Sequence, residues 1–357
     1  MNFRFKRPTG AVVASALAAL LAASAVHAQE IKELNVLVPS ERATSDYPVF
    51  VAEELGFYAD EGLKVNFLPS DTTVPYLAFL LNSQADLVVL DPAQVTQAVN
   101  AGQEVSVIYE FMQLAPEGLA VPADSPIKTL ADLKGKTIGM ASDRDTVTAF
   151  IALSTVGMTT DDVKLVVIGD AGPVIVKALR DGAIDAYAGG SNELPAIVSG
   201  GIPIRNLTPP EISENPGNNF VILNSRKDEL RESVVGFLRA WNKASNAAVL
   251  DLTTTAAITQ KIVPEQWEDP SLGNFIIRQS AYELLLQRTR LRGEPQPDVW
   301  ERLQGPFLKM GEITEVYDPA TFLDASFIEP AMEYETSEVK EALAEWRTAN
   351  PEFVTTP

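Results

Sequence analysis

Short apolar runs alternate with amphipathic stretches over most of the chain, and a polar loop follows nearly every run. Leu34–Val38, Leu63–Leu68, Leu87–Leu90 and Val105–Tyr109 read as strands. Pro48 opens a helix that Gly56 closes, and Val74–Leu81 and Ala93–Asn100 read as further helices. The alternation continues with a one-turn helix at Leu130–Lys134, strands at Thr137–Met140, Val163–Ile168 and Asp185–Ala188, and helices at Thr146–Val156 and Val174–Arg180. Strand and helix in turn predict an α/β fold with mainly parallel sheets flanked by helices. Beyond residue 224 the period becomes helical, with stretches near Ser225–Leu250, Thr254–Ile262, Leu272–Gln287, Pro297–Met310 and Ser337–Thr348. All four tryptophans lie there, where amphipathic packing explains them better than a binding box.

The pattern also repeats. Leu80 to Pro92, running on to Gly102, matches Leu179 to Ser191, running on to Gly201, at a spacing of 99 residues without a gap. Ser40-Glu41-Arg42 and Ser142-Asp143-Arg144 echo each other 102 residues apart. A period this long is not that of a solenoid. It predicts two similar lobes whose strand ends face a shared cleft, where a small ligand goes. The chain is expected to cross between lobes near Gly118–Ala123 and to return near Asn218–Leu223, making a hinge.

Residues 1–28 carry Arg4, Lys6 and Arg7, then an apolar stretch from Ala11 to Val26, then Val26-His27-Ala28. This reads as a secretory signal peptide cut near Ala28, because the stretch is short for a membrane span. Cleavage would leave 329 residues at a net charge near −23 and remove the only histidine. The expected division is 29–122 for the first part of lobe 1, 123–219 for lobe 2, and 220–357 for the return to lobe 1 with a helical C-terminal region. The acid excess, 48 Asp and Glu against 28 Lys and Arg, argues against nucleic acid and anionic membranes. There is no cysteine, so neither disulfides nor a lipid at the cleavage site is available. A soluble periplasmic monomer is expected, given a Gram-negative host.

Candidate ligand contacts fall where strands end and helices begin, because unpaired N–H groups there favour polar acceptors. The first loop offers Ser40, Arg42, Thr44, Asp46 and Tyr47, and its counterpart offers Ser142, Arg144 and Thr146. Thr72, Thr73, Asp91, Ser191 and Asn192 occupy equivalent strand ends. Helix capping is the competing explanation for the Ser, Thr and Asp members. Arg42 and Arg144 together would suit an anion. The loop acids would instead suit an amine or a heterocycle, and a mixture would suit a zwitterion. The rival for each arginine is a neighbouring acid: Glu41 and Asp46 for Arg42, Asp143 and Asp145 for Arg144. Asp86 and Asp185 each precede a strand at the end away from the cleft and are expected to fix turns. Without histidine or cysteine after processing, no Ser–His–Asp triad, thiolate nucleophile or usual zinc set is possible. No glycine-rich phosphate motif appears either.

Ala52-Glu53-Glu54-Leu55-Gly56-Phe57-Tyr58-Ala59-Asp60-Glu61-Gly62-Leu63-Lys64-Val65 resembles the substrate-binding proteins of bacterial ABC importers in the nitrate, sulfonate and taurine group. That group also includes binders of the thiamine pyrimidine precursor. Asp124 to Gly139, Gly182 to Asp185 and Pro319 to Phe327 carry the same resemblance. It implies a two-lobed type II periplasmic binding fold that closes on a small organic molecule, without a cofactor or metal, and delivers it to a membrane permease. The alternatives are a periplasmic ligand sensor that docks on a receptor and, more remotely, an enzyme on the same fold.

Overall fold

The computed structural model describes Met1 and residues 31–39, 43–68, 76–190 and 193–353. The signal-peptide stretch and the candidates Ser40, Arg42, Thr72, Thr73, Ser191 and Asn192 lie outside these residues.

Among the described residues, ten strands form two five-stranded sheets of matching topology. The first has the order β2 (Leu63–Leu68), β1 (Lys32–Leu37), β3 (Leu87–Leu90), β10 (Asn219–Leu223), β4 (Val105–Tyr109). The second has β7 (Lys164–Val167), β6 (Thr137–Met140), β8 (Ala186–Gly189), β5 (Gly118–Pro122), β9 (Ile204–Asn206). In each sheet the fourth position is antiparallel to both neighbours. That strand is the one which has just crossed from the other lobe. The crossings therefore lie earlier than the sequence suggested. Gly118–Pro122 is already a strand of the second sheet, and Asn219–Leu223 is already a strand of the first. The linking segments are residues 110–117 and 207–218.

Period-two alternation buries both faces of the first sheet. Leu34, Val36, Leu87, Val89, Phe220 and Ile222 face one core, and Leu37, Val88, Leu90 and Val221 face the other. The long helix Lys227–Leu250 packs on the first face through Phe237, Leu238 and Trp241, and helix Pro297–Met310 packs on the second through Val299, Trp300 and Leu303. Trp241, Trp267, Trp300 and Trp346 are all buried, so they serve as packing. The second sheet alternates in the same way, with Leu119, Val121, Ile138 and Met140 on one side and Tyr187 on the other.

The 99-residue repeat has a shared structural reason. The Asp86 carboxylate accepts the Asn35 N–H at 2.8 Å, and the Asp86 N–H donates to the Asn35 carbonyl at 2.8 Å. Asp185 does the same to Thr137 at 2.9 and 2.8 Å. Each aspartate pins the start of the central parallel strand of its lobe. No helix among the described residues is long and apolar enough to cross a membrane.

Candidate functional site

The C-terminal ends of the parallel strands in both sheets lead to the interlobe cleft. On the first lobe, Asp91 ends β3 and caps helix Pro92–Asn100. Its Oδ1 accepts the Gln94 N–H at 2.8 Å, and Gln94 Oε1 accepts the Asp91 N–H at 3.1 Å. On the second lobe, Ser142 follows β6 and precedes a short 3-10 turn, Asp143–Asp145. There the Asp145 carboxylate accepts the Ser142 N–H at 2.8 Å and its hydroxyl at 3.3 Å. Capping thus occupies Ser142, Asp145 and one oxygen of Asp91.

The other Asp91 oxygen meets the Arg144 guanidinium across the cleft. Arg144 is therefore not paired with Asp143 or Asp145 but bridges to the opposite lobe. The Arg144 side chain is 70% exposed and that of Asp91 22%, so this ion pair contributes little to stability, about 0–1 kcal/mol. Its importance is its position, as a direct link between lobes.

Glu117 joins this group from the first linking segment. Burial pushes its carboxyl up to about 7; the charges of Asp91 and Asp145 act in the same direction, and Arg144 opposes them. Burial also raises Glu193, whose Oε2 accepts the Gly190 N–H at 2.7 Å.

To one side of this cluster lies a cavity of about 220 Å³ between the lobes. Ser45, Gln266, Phe275 and Ile276 line it from the first lobe, and Asp170 and Ala196 from the second. Asp91, Arg144 and Glu117 do not line this cavity. Thr44 stands behind it. The Thr44 N–H donates to Gln266 Oε1 at 2.8 Å, and the fully buried Thr44 hydroxyl has no partner. Burial lifts Asp46 to about 6, against a 3.1 Å hydrogen bond from the Ser45 hydroxyl.

Two candidates have other work. Tyr47 is fully buried in the first lobe's core, and its hydroxyl donates to the Ser245 carbonyl at 2.9 Å, so its side chain is committed to packing. The Thr146 hydroxyl points to the Met140 sulfur at 3.8 Å. Asp91 and Arg144 are the candidates that the structure brings together. Glu117, Gln266 and Phe275 escaped the sequence reading. Glu117 left a faint trace, as the one acid in the otherwise apolar stretch Leu114–Pro122.

A family model described as NMT1/THI5 like matches residues 43–251, more than half of the chain. The chain belongs to this family. A comparison with curated protein sequences found no match. Among solved structures, it is similar to the periplasmic aliphatic sulphonate binding protein SsuA from Escherichia coli. The TM-score is 0.64 at 16% identity, covering 81% of this chain and 91% of that one. It is similar to the periplasmic nitrate-binding protein NrtA from Synechocystis PCC 6803, with TM-score 0.57, 12% identity and 92% of each chain covered. The desulfurization enzyme DSZB also shares the fold, with TM-score 0.55 and 15% identity over 88% of this chain and 99% of that one. At these identities the likeness is one of fold: two lobes, each a mainly parallel sheet with helices on both faces, and a helical C-terminal region.

Proposed function

We propose that this protein is the solute-binding component of an ABC importer. In this reading it is exported to the periplasm and cut near Ala28. It captures one small organic molecule between its lobes and presents the closed form to a permease as a monomer. The segments 29–109 and 219–357 form one jaw, 118–206 the other, and 110–117 and 207–218 link them. What supports the reading most is the pairing of two sheets of the same strand order across a cleft, linked by the Asp91–Arg144 bridge, in a chain of this family. The solute class stays within sulfonates, taurine-like zwitterions, carboxylates and pyrimidine-type heterocycles.

Ligand stabilises a closed form only through its higher affinity for that form. A solute found by thermal shift is therefore expected to reduce the radius of gyration in small-angle scattering. Native mass spectrometry of unrefolded protein is the direct route to a retained solute. No compaction at saturation would sink the reading. A catalytic function has one observation in its favour, the shared fold of DSZB. Incubating the bound solute with the protein and recovering it chemically unchanged supports binding; conversion supports catalysis. Loss of uptake on deletion of the gene separates an importer from a sensor, which would lose signalling and keep uptake.

A further inference from the structure

The first lobe contains a part-buried cation, Arg292, with no carboxylate partner among the described residues. Arg292 follows helix Pro270–Leu285, and its Nη2 donates to Asn246 Oδ1 at 2.9 Å. Its Nε and Nη1 are buried and have no hydrogen-bond partner. Among the described residues, no carboxylate lies within 4.0 Å of the guanidinium, and no aromatic ring lies beneath it. The nearby polar groups are phenols. Arg292 acts electrostatically on Tyr47, Tyr109 and Tyr334, but burial raises all three and keeps them neutral, so no phenolate balances the charge.

The placement is enforced by the backbone. Gly293 has φ +78°, and a Cβ there would meet the Tyr109 ring at 2.3 Å. The Gly293 carbonyl accepts the Glu110 N–H at 2.8 Å, which ties the segment to the end of β4. Only glycine fits at 293, and this fixes the backbone next to Arg292. Buried polar groups are ordinarily hydrogen-bonded, and these two guanidinium nitrogens, Nε and Nη1, are not.

We propose that the two unpartnered guanidinium nitrogens of Arg292, Nε and Nη1, form a binding site for a small monovalent anion inside the first lobe. Its occupant has the chemistry of a halide or a short carboxylate, taken from solution. The inference does not depend on the importer reading.

The test is thermal melting at constant ionic strength with sodium chloride, bromide or formate against sodium gluconate, whose anion is too large. Wild type is expected to melt several degrees higher in the small anions, following mass action with a saturating concentration dependence. Arg292→Met is expected to lose that dependence. A melting temperature that is the same in all four salts, or an equal dependence in Arg292→Met, overturns the proposal. If the variant does not fold, bromide-soaked wild-type crystals decide: an anomalous peak beside the guanidinium supports the site, and its absence overturns it. Scattering in each salt locates the anion. Stabilisation without compaction places the anion within the lobe, whereas stabilisation that comes only with compaction places it between the lobes and overturns the proposal.

Discussion

Glu117 offers a sharp test of the cleft's electrostatics. Its carboxyl is raised from 4.5 to about 7 in the folded protein. The native state therefore holds this proton more tightly than the unfolded chain does. Stability from this group is present at low pH and is lost as pH rises from about 4.5 through about 7. The full shift corresponds to about 3 kcal/mol. Solvent relaxation in a cleft that opens lowers the realised loss to roughly 1–3 kcal/mol. Glu117→Gln removes the ionisation while keeping the shape. At pH 5 the variant and wild type are expected to melt together. At pH 8 the variant is expected to be the more stable, by about 2–6 °C at about 2 °C per kcal/mol for a chain of this size. Glu110 and Asp46 titrate over the same range but are unchanged in the variant, so the difference between the two proteins isolates Glu117. Differential scanning calorimetry from pH 4.5 to 8.5 measures it. A difference that does not grow with pH would refute the assignment of a buried carboxyl among Asp91, Asp145 and Arg144.

Other outcomes follow from the same contacts. Arg144→Ala and Asp91→Asn are each expected to cost no more than about 1 kcal/mol of stability, since the pair is exposed, yet to widen the ligand-free protein in small-angle scattering; unchanged scattering would mean the bridge does not hold the lobes. Glu110→Ala strands the Gln296 N–H at 2.9 Å, the Gln296 side-chain amide at 2.8 Å and the Trp300 indole N–H at 2.6 Å. With hydrogen bonds to charged groups worth about 1.5–3 kcal/mol each, urea denaturation should show a loss of about 3 kcal/mol or more, and a loss below about 1 kcal/mol would contradict the buried network. Gly293→Ala places a methyl group against the Tyr109 ring at a left-handed backbone position and should lower the urea midpoint markedly, whereas a neutral effect would mean the 291–294 segment is not held as described.

Much of the fold was legible because it rests on local pattern. The runs Leu87–Leu90, Val105–Tyr109 and Thr137–Met140 are strands with the boundaries their apolar stretches suggest. Pro297–Met310 is a helix from its proline to the residue before Gly311, which takes a left-handed conformation. The crossings were misplaced for a topological reason. Gly118–Pro122 and Asn219–Leu223 are apolar enough to be buried strands, but their polarity says nothing about which sheet receives them. Antiparallel insertion into the opposite lobe is a long-range choice.

The cleft was less legible, and Arg144 shows why. Proximity in sequence made Asp143 and Asp145 its expected partners. The backbone has a prior claim on Asp145, whose carboxylate accepts the Ser142 N–H and hydroxyl and so closes the turn that carries Arg144. Asp143, at the start of that turn, is exposed to solvent. Meanwhile Asp91 has two oxygens and a helix start that needs only one of them. The free oxygen stands at the matching strand end of the other lobe, where Arg144 reaches it. A local motif thus records which acids the caps consume. The pairing left over is decided by how the two sheets face each other, and that depends on the crossings at 110–117 and 207–218. Glu117 lies on the first of these crossings, so the same segment that sets the facing of the lobes also delivers a carboxyl raised by burial to the Asp91–Arg144 bridge.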